Sequence, residues 1–213
     1  MRYGYIGLGN LGKHLAASLL HAGFDLTVHD LNRDAAADLI AGGAQWADSP
    51  KELAAAVDAV ITCLPSPAAS SAVLTAENGV LKGLRRGGTW IEMSTTDQTE
   101  IERISRLAAE RGIATLAAPV TGGVHRAAAG EITVLIGGDR AVYEEHRPAL
   151  EAMGGAIFYM GDLGQACVIK VITNMLAFTH LVAAGEALML AKRGGLDLAD
   201  IRPGSELRAR GLP

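Results

Sequence analysis

The segment Gly7-Leu8-Gly9-Asn10-Leu11-Gly12 constrains this chain more than any other. It has the form G-x-G-x-x-G. It closes an apolar, strand-like run at residues 3–7 and opens a helical pattern in which Leu11, Leu15 and Leu19 recur on one side. Each glycine has its own task in such a unit. The first permits a tight turn, the second lets the backbone approach a pyrophosphate, and the third lets the helix pack closely on the sheet. The amides at the helix start then face the phosphates, aided by the helix dipole. In a chain with 26 glycines the spacing alone would be weak, and a glycine-rich turn in an unrelated α/β protein is the alternative. The strand before it and the helix after it make it specific. Gly7, Leu8, Gly9, Asn10, Leu11 and Gly12 are therefore the expected cofactor loop.

Residues 25–29 read as a second strand, and Asp30 ends it about 20 residues beyond the glycines. A carboxylate there accepts hydrogen bonds from ribose hydroxyls and repels a 2′-phosphate, which favours NAD over NADP. Two other readings stand beside this one. Arg33 could pair with a 2′-phosphate, and Asp30 could simply cap the helix that starts near Asn32.

Short apolar runs alternate with Ala/Leu-rich helical patterns along most of the chain. Strands are expected at residues 3–7, 25–29, 59–63, 89–93, 114–117, 132–136 and 156–159. Helices are expected at 11–21, 33–41, 50–56, 66–75, 98–111 and 141–153. Such alternation implies βαβ crossovers, hence an α/β fold with a doubly wound, mainly parallel sheet of Rossmann type. Hydrophobic residues make up 49% and aromatics only 4%, so Ala, Leu, Val and Ile must build the core. From about residue 164 to 193 the pattern becomes one long helix, stopped by Gly194-Gly195. We expect a dinucleotide-binding domain over 1–160, followed over 161–213 by a long helix and an incomplete all-α domain. Its tail from Leu196, with Asp200, Pro203-Gly204, Glu206, Arg208 and Arg210, reads as a helix start that frays.

The net charge of −4 comes without a basic stripe, which argues against nucleic acid as a partner. Cys63 and Cys167 lie far apart in apolar runs, so neither a disulfide framework nor a metal site is expected. No secretory leader is evident at the N-terminus. The apolar stretch from Leu176 to Ala191 is interrupted by His180 and Glu186 and is expected to fall short of a membrane span. A cytoplasmic location and no membrane partner are the expectation.

Four segments together resemble the β-hydroxyacid dehydrogenase family over residues 1 to about 200. They are residues 4–12; Val60-Ile61-Thr62-Cys63-Leu64-Pro65; Ala118-Pro119-Val120-Thr121-Gly122-Gly123; and Gly161-Asp162-Leu163-Gly164, with Lys170 and Asn174 following. That family includes 3-hydroxyisobutyrate dehydrogenase and tartronate semialdehyde reductase, and more distantly 6-phosphogluconate dehydrogenase. The resemblance implies that Leu64 and Pro65 lie beside the cofactor and that Ser94 or Thr95 contacts substrate or cofactor. It implies that Thr121, Gly122 and Gly123 form a substrate loop, and that Lys170 and Asn174 are catalytic. It also implies a homo-oligomer formed through the helical part. There are departures. Ala117 stands where the family has Asp, Thr121 where it has Ser, and Ala166 where it has Gly. Family members continue into further helices that complete the substrate pocket and supply another cofactor-side lysine. Imine reduction, a variant within the class, is argued against by Lys170.

The residues carry a matching chemistry. Oxidation of an alcohol needs a base to take the hydroxyl proton as hydride leaves carbon, and a lysine can serve if burial lowers its pKa. Asn174, four residues on, can hold the substrate hydroxyl or the Lys170 amine. Lys170 could instead snorkel to solvent. Amides of Gly122 and Gly123 and the Thr121 hydroxyl can bind a carboxylate, or the segment is an ordinary loop. Ser94 and Thr95 could instead cap the helix near Asp97, and His125 is placed at the substrate rim. The expected function is hydride transfer between NAD, with NADP as alternative, and a small carboxylate-bearing β-hydroxy acid or its semialdehyde. A dinucleotide binder without turnover and a non-enzymatic NAD-responsive module are the competing readings.

Overall fold

A computed structural model describes residues 1–198. β1 (Arg2–Ile6) enters the centre of a nine-stranded sheet, with β2 (Asp25–His29) parallel on one side and β4 (Ala59–Thr62) parallel on the other. β3 (Gln45–Trp46) extends the first side. β5 (Thr89–Glu92) and β6 (Ala114–Ala117) extend the second, all parallel. The order β3-β2-β1-β4-β5-β6 reverses beside β1, and ligands bind outside the carboxyl edge at such a switch point. β8 (Thr133–Gly138) runs antiparallel to β6 and to the short β7 (Val120–Thr121), and β9 (Ala156–Gly161) pairs parallel with β8. The sheet is thus mainly parallel, as the alternation implies. β7 and the short helix α6 (Val124–Ala128) escaped the sequence reading, because two residues of strand and five of helix are too few to show a period.

Alternation along each strand divides the core between the two faces. Tyr3, Tyr5, Ile61, Ile91 and Met93 join Leu15 and Leu19 of α1 (Gly12–His21) on one face. Ile6, Val60 and Trp90 join Leu53 of α3 (Pro50–Ala56), Leu74 of α4 (Pro67–Thr75) and Ile101 and Ile104 of α5 (Gln98–Ala109) on the other. The helix expected at 33–41 is divided. A 3₁₀ turn, Arg33–Ala36, is capped by the Asn32 side chain on Asp34 N–H and leads into α2 (Ala37–Ala41). α7 (Arg140–Met153) makes the crossover to β9.

The chain forms two compact units, Met1–Val171 and a second from Ile172 on. The long helix α8 (Leu163–Arg193) begins in the first, where Gly164, Ala166, Cys167 and Lys170 are buried. In the second unit Met175, Phe178, Leu181, Val182 and Leu190 are exposed. By length and composition α8 is apolar enough to cross a membrane. Lys170, His180 and Glu186 nonetheless interrupt the apolar run within it, and interruption by the last two is the feature on which the sequence expectation rests. The tail expected to fray lies largely outside the described residues, since 199–213 are not among them.

Candidate dinucleotide site

The glycine loop joins β1 to α1, and the three glycines meet different surroundings. Gly7 has φ +100°, and a Cβ there would strike the Cys63 carbonyl. A Cβ on Gly12 would strike the Gly7 carbonyl, so this residue sets how closely α1 approaches the strand. A Cβ on Gly9 would meet nothing within 4 Å. Two glycines are therefore needed by the fold, and Gly9 alone is small toward open space.

That space is a cavity of about 730 Å³ at the carboxyl edge of the sheet. Gly7, Gly9, Asn10, Leu11 and Gly12 line it from one side, and Asp30 and Leu31 from the end of β2. Cys63, Leu64 and Pro65 line it from the β4–α4 connection, with Ala69, Ala72 and Val73 of α4 beyond. Asp30 Oδ2 accepts the Leu8 N–H at 2.7 Å, and Oδ1 accepts the Asn32 N–H at 2.8 Å. The carboxylate is thereby locked against the glycine loop. The alternative in which Asp30 caps the following helix is corrected, because Asn32 holds that place. Leu8 contributes through its amide, since its side chain is buried in the core. The Arg33 guanidinium lies over the Trp46 ring, 5.4 Å from its centroid.

Several expected residues lie outside the cavity lining. Ser94 is buried, and its Oγ accepts the Leu64 N–H at 2.7 Å. It does not present its hydroxyl at an open surface, and the expectation that it binds substrate is corrected to a role inside the wall. Neither Ser94 nor Thr95 caps α5; Asp97 does, accepting from Glu100 N–H at 2.9 Å. Thr95 is exposed at the same edge. Thr121 ends β7 opposite Thr133, and exposed Gly122 and Gly123 lead into α6, which carries exposed His125. Lys170 is buried in the second turn of α8, and burial pulls its pKa below the ordinary 10.5. Asn174 lies one turn further along α8, in the second unit. Cys63 borders the cavity as an inert thiol, since burial and then the Glu92 carboxyl raise its pKa to about 11. Sequence reasoning missed Leu31 and Glu92. The first was legible as an apolar residue directly after the carboxylate, the second as a lone acid in the apolar run ending β5.

A glycine loop at a topological switch point, with a carboxylate locked beside it, defines a Rossmann-type nicotinamide-dinucleotide domain. Residues 2–161 match the NAD binding domain of 6-phosphogluconate dehydrogenase, and the chain belongs to the β-hydroxyacid dehydrogenase family. It is 38% identical over 193 residues to an NAD-dependent L-serine dehydrogenase of Pseudomonas aeruginosa, covering 91% of this chain and 65% of that one. It is 34% identical over 196 residues to 2-(hydroxymethyl)glutarate dehydrogenase of Eubacterium barkeri, covering 92% and 65%. The structure of Mycobacterium tuberculosis 3-hydroxyisobutyrate dehydrogenase with L-serine superposes with a TM-score of 0.85 at 34% identity, over 93% of this chain and 68% of that one. The chain thus spans 65% of the length of the two curated relatives.

Proposed function

We propose that this chain binds NAD in the cavity beside Gly9 and serves hydride transfer between it and a small β-hydroxy acid. The observation that carries the reading is the open space at Gly9 facing a carboxylate held at 2.7 Å from the loop amide. Asp30 favours an unphosphorylated ribose, and Arg33, stacked on Trp46, is drawn away from the task of neutralising a 2′-phosphate. The substrates in the names of the three relatives share one group, a hydroxymethyl on the carbon that bears a carboxylate. Substrates of that form, oxidised to the semialdehyde, are the class proposed here.

Bound NAD supplies the hydride acceptor. Lys170 in its neutral form takes the hydroxyl proton on Nζ as hydride leaves the carbinol carbon, and returns it to the carbonyl oxygen in the reverse direction. Burial makes the neutral form accessible at lower pH than for a solvated lysine. Asn174 is assigned the substrate hydroxyl or the amine, the Thr121-Gly122-Gly123 segment the carboxylate, and Thr95 the cofactor. Oligomerisation through α8 would cover its exposed Phe178, Leu181 and Leu190.

The test is dinucleotide titration followed by nicotinamide fluorescence. NADH is expected to bind more tightly than NADPH. Asp30→Ala should narrow that gap by about 1–2 kcal/mol, the scale of lost charge-assisted hydrogen bonds. Equal affinities in the parent would overturn the ribose assignment and return the task to Arg33.

A further inference from the structure

Glu92 ends β5 on the sheet face that carries Trp90, and it is completely buried. Its Oε1 accepts the Ser94 N–H at 2.7 Å. Ser94 Oγ accepts the Leu64 N–H at 2.7 Å and lies 3.4 Å from Ser70 Oγ. Leu64 belongs to the cavity wall, and Ser70 stands on α4 between Ala69 and Ala72, which line the same cavity. Two segments distant in sequence, 64–70 and 92–94, are therefore tied together beside one buried acid.

The other oxygen, Oε2, makes no hydrogen bond of good geometry, although the Ser94, Ser70 and Thr62 hydroxyls lie near the carboxyl. Burial pushes the Glu92 pKa up, which favours the neutral acid. An aliphatic residue would fill this strand end without a buried polar atom to satisfy. What the carboxyl adds is an acceptor at one fixed place, above the residues that shape the wall.

We propose that Glu92 is a positioning residue for the dinucleotide cavity. By holding the Ser94 amide, it fixes the Ser94 hydroxyl as the acceptor for Leu64 N–H, and so sets the Leu64-Pro65 wall against the near end of α4. The proposal rests on the reading of this cavity as the dinucleotide site. It requires a neutral acceptor at Oε1 and no contact between Glu92 and the ligand.

The experiment compares the full chain with Glu92→Gln, Glu92→Leu, Ser94→Ala and Gly9→Val. NADH affinity is measured by fluorescence, amide hydrogen exchange at Leu64 by NMR, and the fold by circular dichroism. Glu92→Leu should weaken NADH about 10-fold, the effect of losing a buried hydrogen-bond chain. Glu92→Gln should bind like the parent, because its amide oxygen keeps the acceptor. Leu64 should exchange faster in Glu92→Leu and Ser94→Ala than in Glu92→Gln, and the double variant Glu92→Leu/Ser94→Ala should be no weaker than the worse single one. Should Glu92→Leu fail to fold, the comparison of Glu92→Gln with Ser94→Ala decides by the same two readouts. Parent-like affinity and Leu64 protection in Glu92→Leu, or in Ser94→Ala, overturn the proposal alone, provided Gly9→Val abolishes binding. If Gly9→Val binds NADH like the parent, the cavity reading falls, and the proposal with it.

Discussion

Lys170 is an ammonium-bearing side chain in the buried start of an apolar helix, and that environment disfavours its charge. The direction of the shift determines the pH behaviour. Above its lowered pKa the lysine is a base, so alcohol oxidation should rise with pH through that value, and carbonyl reduction should fall. With NAD and a β-hydroxy acid that turns over, Lys170→Ala should lower kcat by about 10²–10⁴ and remove that limb of the profile. Lys170→Arg should not restore it, because a guanidinium stays protonated. NADH affinity should be little changed in both variants. Loss of NADH binding together with turnover would make the lysine structural.

At the scale of elements, α3, α4, α5 and α7 are held at their starts by side chains that the sequence places there. Ser49, Ser66, Asp97 and Asp139 each accept an amide hydrogen at an N-cap. Asp139 does so twice, from Ala141 N–H at 2.7 Å and Val142 N–H at 3.2 Å, where the chain turns from β8 into α7. Asp139→Ala should cost about 1 kcal/mol of stability, read from urea unfolding, with the dinucleotide site unaffected. A loss well under half of that would mean that solvent replaces the cap. The same elements aim the site. α1 can open directly under the cavity because Gly12 allows it to press against the Gly7 carbonyl.

For the whole molecule, three buried or paired groups set the response to pH. Asp58 is lowered from its ordinary 3.8 to about 2, first by the Arg2 amide, then by the Arg2 and Arg85 guanidinium groups. This contribution is complete above pH 3.8 and is lost as pH falls toward 2. It is worth about 1 kcal/mol once solvent screening is allowed for. His146 is buried against the Tyr3 hydroxyl at 3.0 Å, and burial lowers its pKa below 6.5. The unfolded chain then takes up a proton before the folded one, so stability falls as pH drops below 6.5. Glu92 acts in the opposite sense. Its raised pKa makes the folded state lose stability as pH rises above 4.5. Relative to His146→Gln, which keeps the opposing Glu92 contribution, the parent's urea midpoint should therefore fall below pH 6.5, with a further loss below 3.8 common to both. His146→Gln should flatten only the first step. An unchanged first step in that variant would assign it to other groups.

Local physics made much of this legible in the sequence. The glycine spacing, the carboxylate after β2 and the alternation of apolar runs each depend on neighbours along the chain, and they determined the glycine loop between β1 and α1 and the mainly parallel sheet. The reversal of β8 against β6, the two-residue β7 and the division of the helix at 33–41 depend on pairing and packing between distant segments, so no local period announced them. The same holds within the site. Sequence could offer Ser94 as a hydroxyl at a strand end, and it did not indicate whether that hydroxyl met a ligand or an amide. Only tertiary structure joined Ser94, whose amide is held by Glu92 two residues earlier, to Leu64, because a hydrogen bond across 30 residues of chain exists once β4 and β5 lie side by side.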